Sequence, residues 1–390
     1  MDSNRLTLLT IFGTRPEVIK LFPVLKEINE DQRFNSIVVS TAQHREMIQD
    51  FLSLFDISLD HDLDIMRKNQ SLVDISRRAL TGLDPLLKEH RPDLVLVQGD
   101  TTTAFIGALA AFYNKISAGH IEAGLRSFNK QHPYPEEVNR RLISNVCDLH
   151  FAPTLRNANN LYKEGIGTAG VFVTGNTVID TLLYVANRNR ETLGKYLPME
   201  VLNSHRMILV TAHRRENWGE SLENLCYALR DLARAYADIQ IVYPVHLNPN
   251  VRKTAFAVLS NQERIHLVDP LPYEPFVEAM AKSYFIITDS GGIQEEGPSL
   301  QKPVFVFRKV TERPEGLGTG GVKLVGLEKE SVLREASRLL EDPAAYQEMV
   351  AEHNPYGDGK AAQRIVKAIL HHFGQGDRPQ DFAAPKHERT

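Results

Sequence analysis

Short apolar runs bounded by glycine, proline or polar residues alternate along this chain with longer amphipathic stretches, and this rhythm constrains the fold more than any other feature. In the first half the runs are Leu6–Phe12, Ser36–Thr41, Leu94–Gln98, Ile116–Ile121, Leu149–Ala152 and Val171–Thr174. Each suits a strand buried on both faces. Between them Pro16–Asn29, Ser71–Glu89 and Glu136–Asn145 carry helical spacing, so the pattern predicts a parallel sheet with helical crossovers. After an irregular, charged stretch near Asn187–His205 it restarts with Met207–Ala212, Ile239–Val245, Ile265–Val268, Tyr284–Thr288 and Pro303–Val306. Helical spacing returns at Ser221–Tyr236, Glu330–Glu341 and Ala361–His372. The chain is therefore expected to be an α/β protein of two Rossmann-like, doubly wound domains, with a ligand cleft between them at the carboxyl edges of the sheets.

Composition narrows the classes of function. The 390 residues suit two or three domains, and 42% apolar with 24% charged residues is ordinary for a globular protein. A net charge of −4 argues against a nucleic-acid or anionic-membrane partner held by bulk charge, so any bound anion must be gripped locally. Two cysteines, Cys147 and Cys226, make neither a disulfide framework nor a zinc cluster, and a reducing cytoplasm fits them. The run Ala104–Tyr113 is too short for a membrane span and suits a buried helix, and no targeting segment is visible. The tail Gly374–Thr390 is expected to be mobile or loosely docked.

Several motifs sit where strands should give way to helices. Gly13-Thr14-Arg15-Pro16-Glu17-Val18-Ile19-Lys20 opens a helix after the first strand, so it could aim backbone N–H groups and the charges of Arg15 and Lys20 at an anion. It is neither GxGxxG nor a P-loop. In the second half, Ser290, Gly291 and Gly292 open another helix, where glycines let a phosphate approach the main chain; Ser290 could cap that helix or donate to the phosphate. Glu296 would then be placed for sugar hydroxyls. Asp100, Glu122 and Glu136 gather at strand ends of the first domain. Their structural alternatives are an N-cap for Asp100, a salt bridge from Glu122 to Arg126, and a first-turn acid for Glu136. His213 ends a strand beside Arg214 and Arg215, which suits phosphate binding or proton transfer.

The motifs GTRPEVIK (Gly13–Lys20), QHRE (Gln43–Glu46), GDTTT (Gly99–Thr103), HIEAGLR (His120–Arg126), PEEVNR (Pro135–Arg140), TAHRRENWG (Thr211–Gly219), SGGIQEEGP (Ser290–Pro298) and TERP (Thr311–Pro314) together resemble those of the non-hydrolysing UDP-N-acetylglucosamine 2-epimerases, in order and over nearly the whole chain. The resemblance implies the B-type glycosyltransferase arrangement, with domains at 1–186 and 187–364 and a C-terminal segment from about 365 to 390 packing back onto the first. It also implies a homodimer that interconverts UDP-N-acetylglucosamine and UDP-N-acetylmannosamine for bacterial surface polysaccharides, with no metal or cofactor. On this resemblance Asp100, Glu122 and Glu136 are the catalytic acids and His213 lies near the leaving phosphate. Arg15 and Lys20 are cationic contacts; Ser290, Gly291 and Gly292 cradle the diphosphate; Glu296 binds the ribose; Arg313 adds a polar contact. Phe276 and the main chain at Leu271 would meet the uracil.

Bacterial members often bind a second UDP-N-acetylglucosamine as activator through a Gln-His-Arg-Gln segment. Gln43, His44 and His246 are the candidates here, but Glu46 ends the segment and Asn69 stands where a basic residue is expected, so activation should be weaker than in typical members. A hydrolysing 2-epimerase and a glycosyltransferase of the same architecture using a UDP-sugar donor are the alternative enzymes, and a catalytically silent nucleotide-sugar sensor is the alternative outside catalysis.

Overall fold

The computed structural model describes residues 5–41, 45–67, 70–188, 190–350 and 353–383. The chain forms two compact units, Met1–Thr181 with Gly357–Ala383, and Leu182–Tyr356. Each is built on one all-parallel sheet, so both are doubly wound α/β domains as the alternation predicts.

The first sheet has the order β3-β2-β1-β4-β5-β6-β7. Its strands are β1 (Leu6–Phe12), β2 (Phe34–Ser40), β3 (His61–Asp62), β4 (Leu94–Gln98), β5 (Ser117–Ile121), β6 (Leu149–Ala152) and β7 (Val171–Val173). The second has the order β10-β9-β8-β11-β12-β13, from β8 (Met207–Thr211), β9 (Gln240–Pro244), β10 (Ile265–Val268), β11 (Phe285–Thr288), β12 (Val304–Val306) and β13 (Val322–Leu324). Central strands such as β4 and β8 are buried at every residue, which is why they read as unbroken apolar runs. The strands the runs do not reveal, β3 and β13, are edge strands. One consists of a histidine and an aspartate, and the other interrupts two apolar residues with a lysine.

Helices are seated by similarly local rules. The helix Arg15–Glu30 carries Pro16 in its first turn, where the missing N–H costs nothing, and buries Val18, Leu21, Phe22, Leu25 and Ile28 along one stripe. Thr102–Tyr113 is apolar nearly all round and lies close against the sheet. A Cβ added at Gly107 would come within 3.0 Å of Val97 and 3.1 Å of Ile11, on β4 and β1. That close approach fixes the start of the helix beside the ends of β1 and β4.

The C-terminal tail is not the mobile or loosely docked segment its composition suggests: it is docked as far as the described residues run. The β7 edge donates Val173 N–H to Asp381 (3.0 Å) and accepts Phe382 N–H at the Val173 carbonyl (2.7 Å). Arg378 bonds the Val171 carbonyl (2.6 Å) and lies 4.2 Å from the Phe172 ring centroid. Phe382 is buried among Ala123, Ala152, Leu161, Val171 and Val173. A short polar segment thus covers an otherwise open strand edge. Phe382→Ala should lower the unfolding free energy by about 3 kcal/mol, as for other buried phenylalanine truncations. Chemical denaturation checks this, and a loosely attached tail would leave the midpoint where it was.

Candidate functional site

The candidates of the first unit cluster where β1 and β4 lie side by side. Strand order reverses there, since β1 continues outward to β2 and β4 to β5, and loops at the carboxyl ends of such a pair diverge to make room for a ligand. The same reversal occurs in the second unit between β8 and β11, where His213 and Ser290 lie.

The turn after β1 does not hold its amides open. Glu17, fully buried, accepts at Oε2 from the N–H of Gly13 (2.9 Å), the N–H of Thr14 (2.7 Å) and the Thr14 hydroxyl (2.8 Å). At Oε1 it accepts from the Thr101 hydroxyl, 2.6 Å away on the turn after β4. The expectation that this turn aims free N–H groups at an anion is corrected for Gly13 and Thr14, whose N–H groups an internal carboxylate already takes. Burial raises the Glu17 pKa above its ordinary value, opposed by these four hydrogen bonds. What remains for a ligand is charge on side chains. Arg15 is exposed with its guanidinium over the Phe51 ring at 5.8 Å, and Lys20 sits one turn further along the helix.

Lys20 and Glu122 meet at 2.5 Å although 102 residues apart in sequence. Glu122 follows β5 directly in the left-handed region, φ 69°, which a glutamate adopts only when its surroundings hold it there. Gln98 bonds its Oε2 (2.6 Å) and Asn176 its Oε1 (3.2 Å). Arg126, considered above as its partner, pairs instead with Glu164 at 2.7 Å. Asp100 is not an N-cap either. Thr101 caps the helix Thr102–Tyr113, while Arg140 grips Asp100 Oδ2 with two nitrogens at 2.6 and 2.8 Å.

Glu136 opens the helix Glu136–Val146 half-buried and, among the described residues, makes no hydrogen bond or ion pair. Its neighbour Glu137 is fully buried and committed, accepting from the N–H groups of Ser127 (2.8 Å) and Phe128 (3.1 Å) and from Arg141. His120, inside β5, donates from Nε2 to the Gly99 carbonyl at 2.7 Å and so braces the turn that carries Asp100.

The second unit repeats the device with other residues. Asp289, fully buried after β11, accepts from the N–H groups of His213 (2.9 Å) and Arg214 (2.8 Å) and from Asn217 Nδ2 (3.0 Å), tying the turn after β8 to its own. Beneath it Thr211 and Thr288 share a hydroxyl–hydroxyl bond of 2.6 Å. The His213 ring stacks on His246 with centroids 5.3 Å apart. Burial lowers its pKa, with His246 and Arg214 acting in the same direction and Asp289 against.

Ser290 occupies the N-cap position of the helix Gly291–Ser299, but its hydroxyl makes no capping bond. Among the described residues nothing accepts from the N–H groups of Gly291 and Gly292, so this helix start, unlike that of Arg15–Glu30, is open. Around it Arg214, Arg308 and Arg313 surround Glu312. Burial alone would raise that carboxyl, but its own backbone N–H and the three guanidinium groups pull it down to about 2. Arg313 also donates to Glu295. Glu296 is buried within the helix Gly291–Ser299, and burial, with the charge of Glu296 adding to it, raises the pKa of Tyr273 at the start of the helix Tyr273–Lys282. Leu271 and Phe276 are half-buried before and within that helix.

Gln43, His44 and Asn69 lie outside the described residues. Among those described, no group of three or more His, Cys, Asp or Glu side chains is placed to hold a metal ion, and no helix is long and apolar enough to cross a membrane. The residues that sequence reasoning left unassigned are Glu17, Gln98, Arg140, Asn176 and Asp289. Only Glu17 had a local signal, the capping-box spacing Thr14-x-x-Glu17.

Two doubly wound domains, one with acids and a cation at its switch point and the other with an open helix start among arginines, define an α/β enzyme of the nucleotide-handling type. Residues 26–370 match the family model described as UDP-N-acetylglucosamine 2-epimerase. The UDP-N-acetylglucosamine 2-epimerase of Bacillus subtilis is 48% identical over 380 residues, which cover 97% of this chain and 99% of that one. Two solved structures are also similar. S. aureus MnaA with UDP has a TM-score of 0.86 and 44% identity, covering 97% of this chain and all of that one. The Neisseria meningitidis UDP-GlcNAc 2-epimerase bound to UDP-GlcNAc has a TM-score of 0.83 and 47% identity, covering 94% and 100%. The chain belongs to the UDP-N-acetylglucosamine 2-epimerase family and is an isomerase.

The buried histidines of this region yield a pH prediction. Burial lowers the pKa of His120 to about 3 and that of His150, its partner across β5 and β6, to about 4. Unfolded histidine titrates near 6.5, so below that pH the unfolded chain takes up protons that the folded one refuses. Each histidine should then lower stability by up to about 1.4 kcal/mol per pH unit as pH falls through that window. Denaturation midpoints at stepped pH values check this. His120→Gln should flatten the slope, and an unchanged slope would contradict the assignment.

Proposed function

We propose that this enzyme interconverts UDP-N-acetylglucosamine and UDP-N-acetylmannosamine without hydrolysis, by eliminating UDP to 2-acetamidoglucal and adding it back. The observation that carries the reading is the contrast between the two switch points. One carries the Lys20–Glu122 pair and the Arg140-held Asp100 on turns after neighbouring strands, with Glu136 opening the helix that bears Arg140; the other offers open amides among arginines. The reaction needs both chemistries on one substrate.

The C2 hydrogen of the sugar has no adjacent carbonyl, and its direct removal by a side-chain base would be far too slow. Breaking the C1–O bond as the proton leaves sends the electron pair into a C1=C2 double bond and the negative charge onto UDP, so the diphosphate must be stabilised as it departs. On this reading the amides of Gly291 and Gly292 and the Ser290 hydroxyl receive the diphosphate, with Arg313, Arg15 and Lys20 adding positive charge and His213 beside the leaving oxygen. Glu296 binds the ribose, and Leu271 and Phe276 meet the uracil. Glu122, Asp100 and Glu136 divide the proton transfers on the two faces of C2. The differing wiring of Glu122, held by Lys20, Gln98 and Asn176, and Glu136, whose side chain has no such partner among the described residues, suits residues that act from different sides. We further propose that the enzyme works as a cytoplasmic homodimer supplying surface-polysaccharide synthesis, a state that light scattering on the purified protein would test. His246, with Gln43 and His44, is the proposed contact for an activating second UDP-sugar.

Incubated with UDP-N-acetylglucosamine in deuterated water, the protein should form UDP-N-acetylmannosamine carrying deuterium at C2, with no accumulation of free sugar. Undeuterated product would exclude proton exchange at C2, and free N-acetylmannosamine would mark a hydrolysing enzyme. Glu122→Gln and Glu136→Gln should each lower the exchange rate by about 100-fold or more while UDP binding persists.

A further inference from the structure

The acids proposed to react stand on different segments, and something must hold those segments in register. Lys20, which grips Glu122, belongs to the helix Arg15–Glu30, whereas Asp100 belongs to the turn after β4. One side chain bridges them: Glu17 takes three donors from its own turn on Oε2 and the Thr101 hydroxyl on Oε1. Thr101 is the residue after Asp100, and its hydroxyl also caps the next helix by accepting from Ala104 N–H at 3.0 Å. Lys20 lies three residues beyond Glu17, so the two share a face of one rigid helix.

We propose that Glu17 is a positioning residue for the epimerisation: it touches no substrate, and by joining the turns after β1 and β4 it sets the Lys20–Glu122 pair against Asp100. The inference rests on the reading of those residues as the reacting set. Other bonds reach the same turn: His120 and Asn139 donate to the Gly99 and Asp100 carbonyls, Arg140 to the Asp100 carboxylate, and the Gly99 N–H to the Ile121 carbonyl. None of these involves the helix that carries Lys20; Glu17 joins that helix to the turn directly, whereas Lys20 reaches the neighbouring Gln98 only through Glu122. A glutamine can serve the same geometry. Its oxygen takes the three donors of the first turn, and its amide donates to the second lone pair of the Thr101 hydroxyl.

The test compares kcat, KM and UDP binding for purified variants, with kcat normalised to UDP-binding stoichiometry. Glu17→Ala should lower kcat by about 100-fold, the usual cost of misplacing reacting groups by an ångström. KM and UDP affinity should stay within about threefold, because most of the proposed nucleotide contacts, Ser290 to Gly292, Glu296 and Phe276, belong to the other unit. Glu17→Gln should return kcat to within about fivefold of the parent. Unchanged kcat in Glu17→Ala, or a loss that parallels the fraction of folded UDP-binding protein, would overturn the proposal. Should Glu17→Ala not fold, Thr101 decides. Thr101→Val, which severs the bridge and also removes the cap on Ala104 N–H while leaving the three first-turn donors of Glu17, should lower kcat about tenfold, with Thr101→Ser, which keeps both bonds, at the parent value. A valine variant with full kcat, or a serine variant as impaired as valine, would again overturn it. Absence of C2 exchange in the parent protein would instead refute the proposed reaction and leave the bridge without a role in it.

Discussion

Each sheet of this protein is closed at its switch point by a buried carboxylate. A parallel doubly wound sheet separates its two central loops, because the chain leaves neighbouring strands in opposite directions, and the space so created is a site only if the loops hold still. Glu17 performs the task in the first unit by accepting from both turns that flank the gap, and Asp289 in the second by reaching from its own turn to the donors of the other. Burying a carboxylate costs several kcal/mol, which only a full set of donors offsets. Four donors converge on Glu17, and Asp289 takes two main-chain amides and a side-chain amide. Hydrogen bonds to a charged acceptor contribute roughly 1.5–3 kcal/mol each, so losing any one donor weakens the offset sharply. The consequence is a pair of stiff turns in each unit rather than two mobile loops.

The two clamps differ in what they leave exposed. Glu17 lies inside the helix whose start it closes, so it consumes the amides that would otherwise attract an anion. Asp289 lies one residue before the N-cap Ser290 and takes its donors from the opposite turn, leaving the amides of Gly291 and Gly292 unused among the described residues. A Cβ at position 291 would come within 3.2 Å of the Glu312 carboxylate, so a side chain there would crowd the open helix start. One unit therefore offers oriented dipoles at a helix start and the other offers charged side chains. That division matches a reaction in which one part of the substrate must be held as an anion while another exchanges a proton.

Much of this was legible in the sequence because the sheets are parallel. Strands buried on both faces leave no polar residue to break the run, and the interior strands of both sheets stand within a residue or two of where the runs predict them. Of the four edges, β7 and β10 stood out as apolar runs but β3 and β13 did not, since a strand with one side open can do with few apolar residues. The docking of Phe382 was hidden for a related reason, since a single aromatic among polar residues carries no periodicity. Candidate site residues were legible as motifs, but their partners were not. Glu122 finds Lys20, Gln98 and Asn176 from three distant segments, and Asp100 finds Arg140 rather than a helix start. Glu17 shows how a local signal misleads. Its spacing from Thr14 announces a capping box, an ordinary solvated device, and nothing local reveals that Thr101 will arrive to bury it.

Glu122 also shows what this wiring achieves energetically. Left-handed backbone at a non-glycine residue costs on the order of 1 kcal/mol, a cost that persists only where the surroundings over-determine the conformation. An ammonium and two amides around one carboxylate more than offset it, so the strained conformation is the stable one. A carboxylate in that position does not have to find its place when the substrate arrives. On the proposed reading, the barrier for proton transfer at C2 then contains little reorganisation of the acid, because folding has already oriented it. Glu136, half-buried and without such partners, keeps the freedom to move that Glu122 has lost, and an inversion that must treat two faces of one carbon differently has use for both.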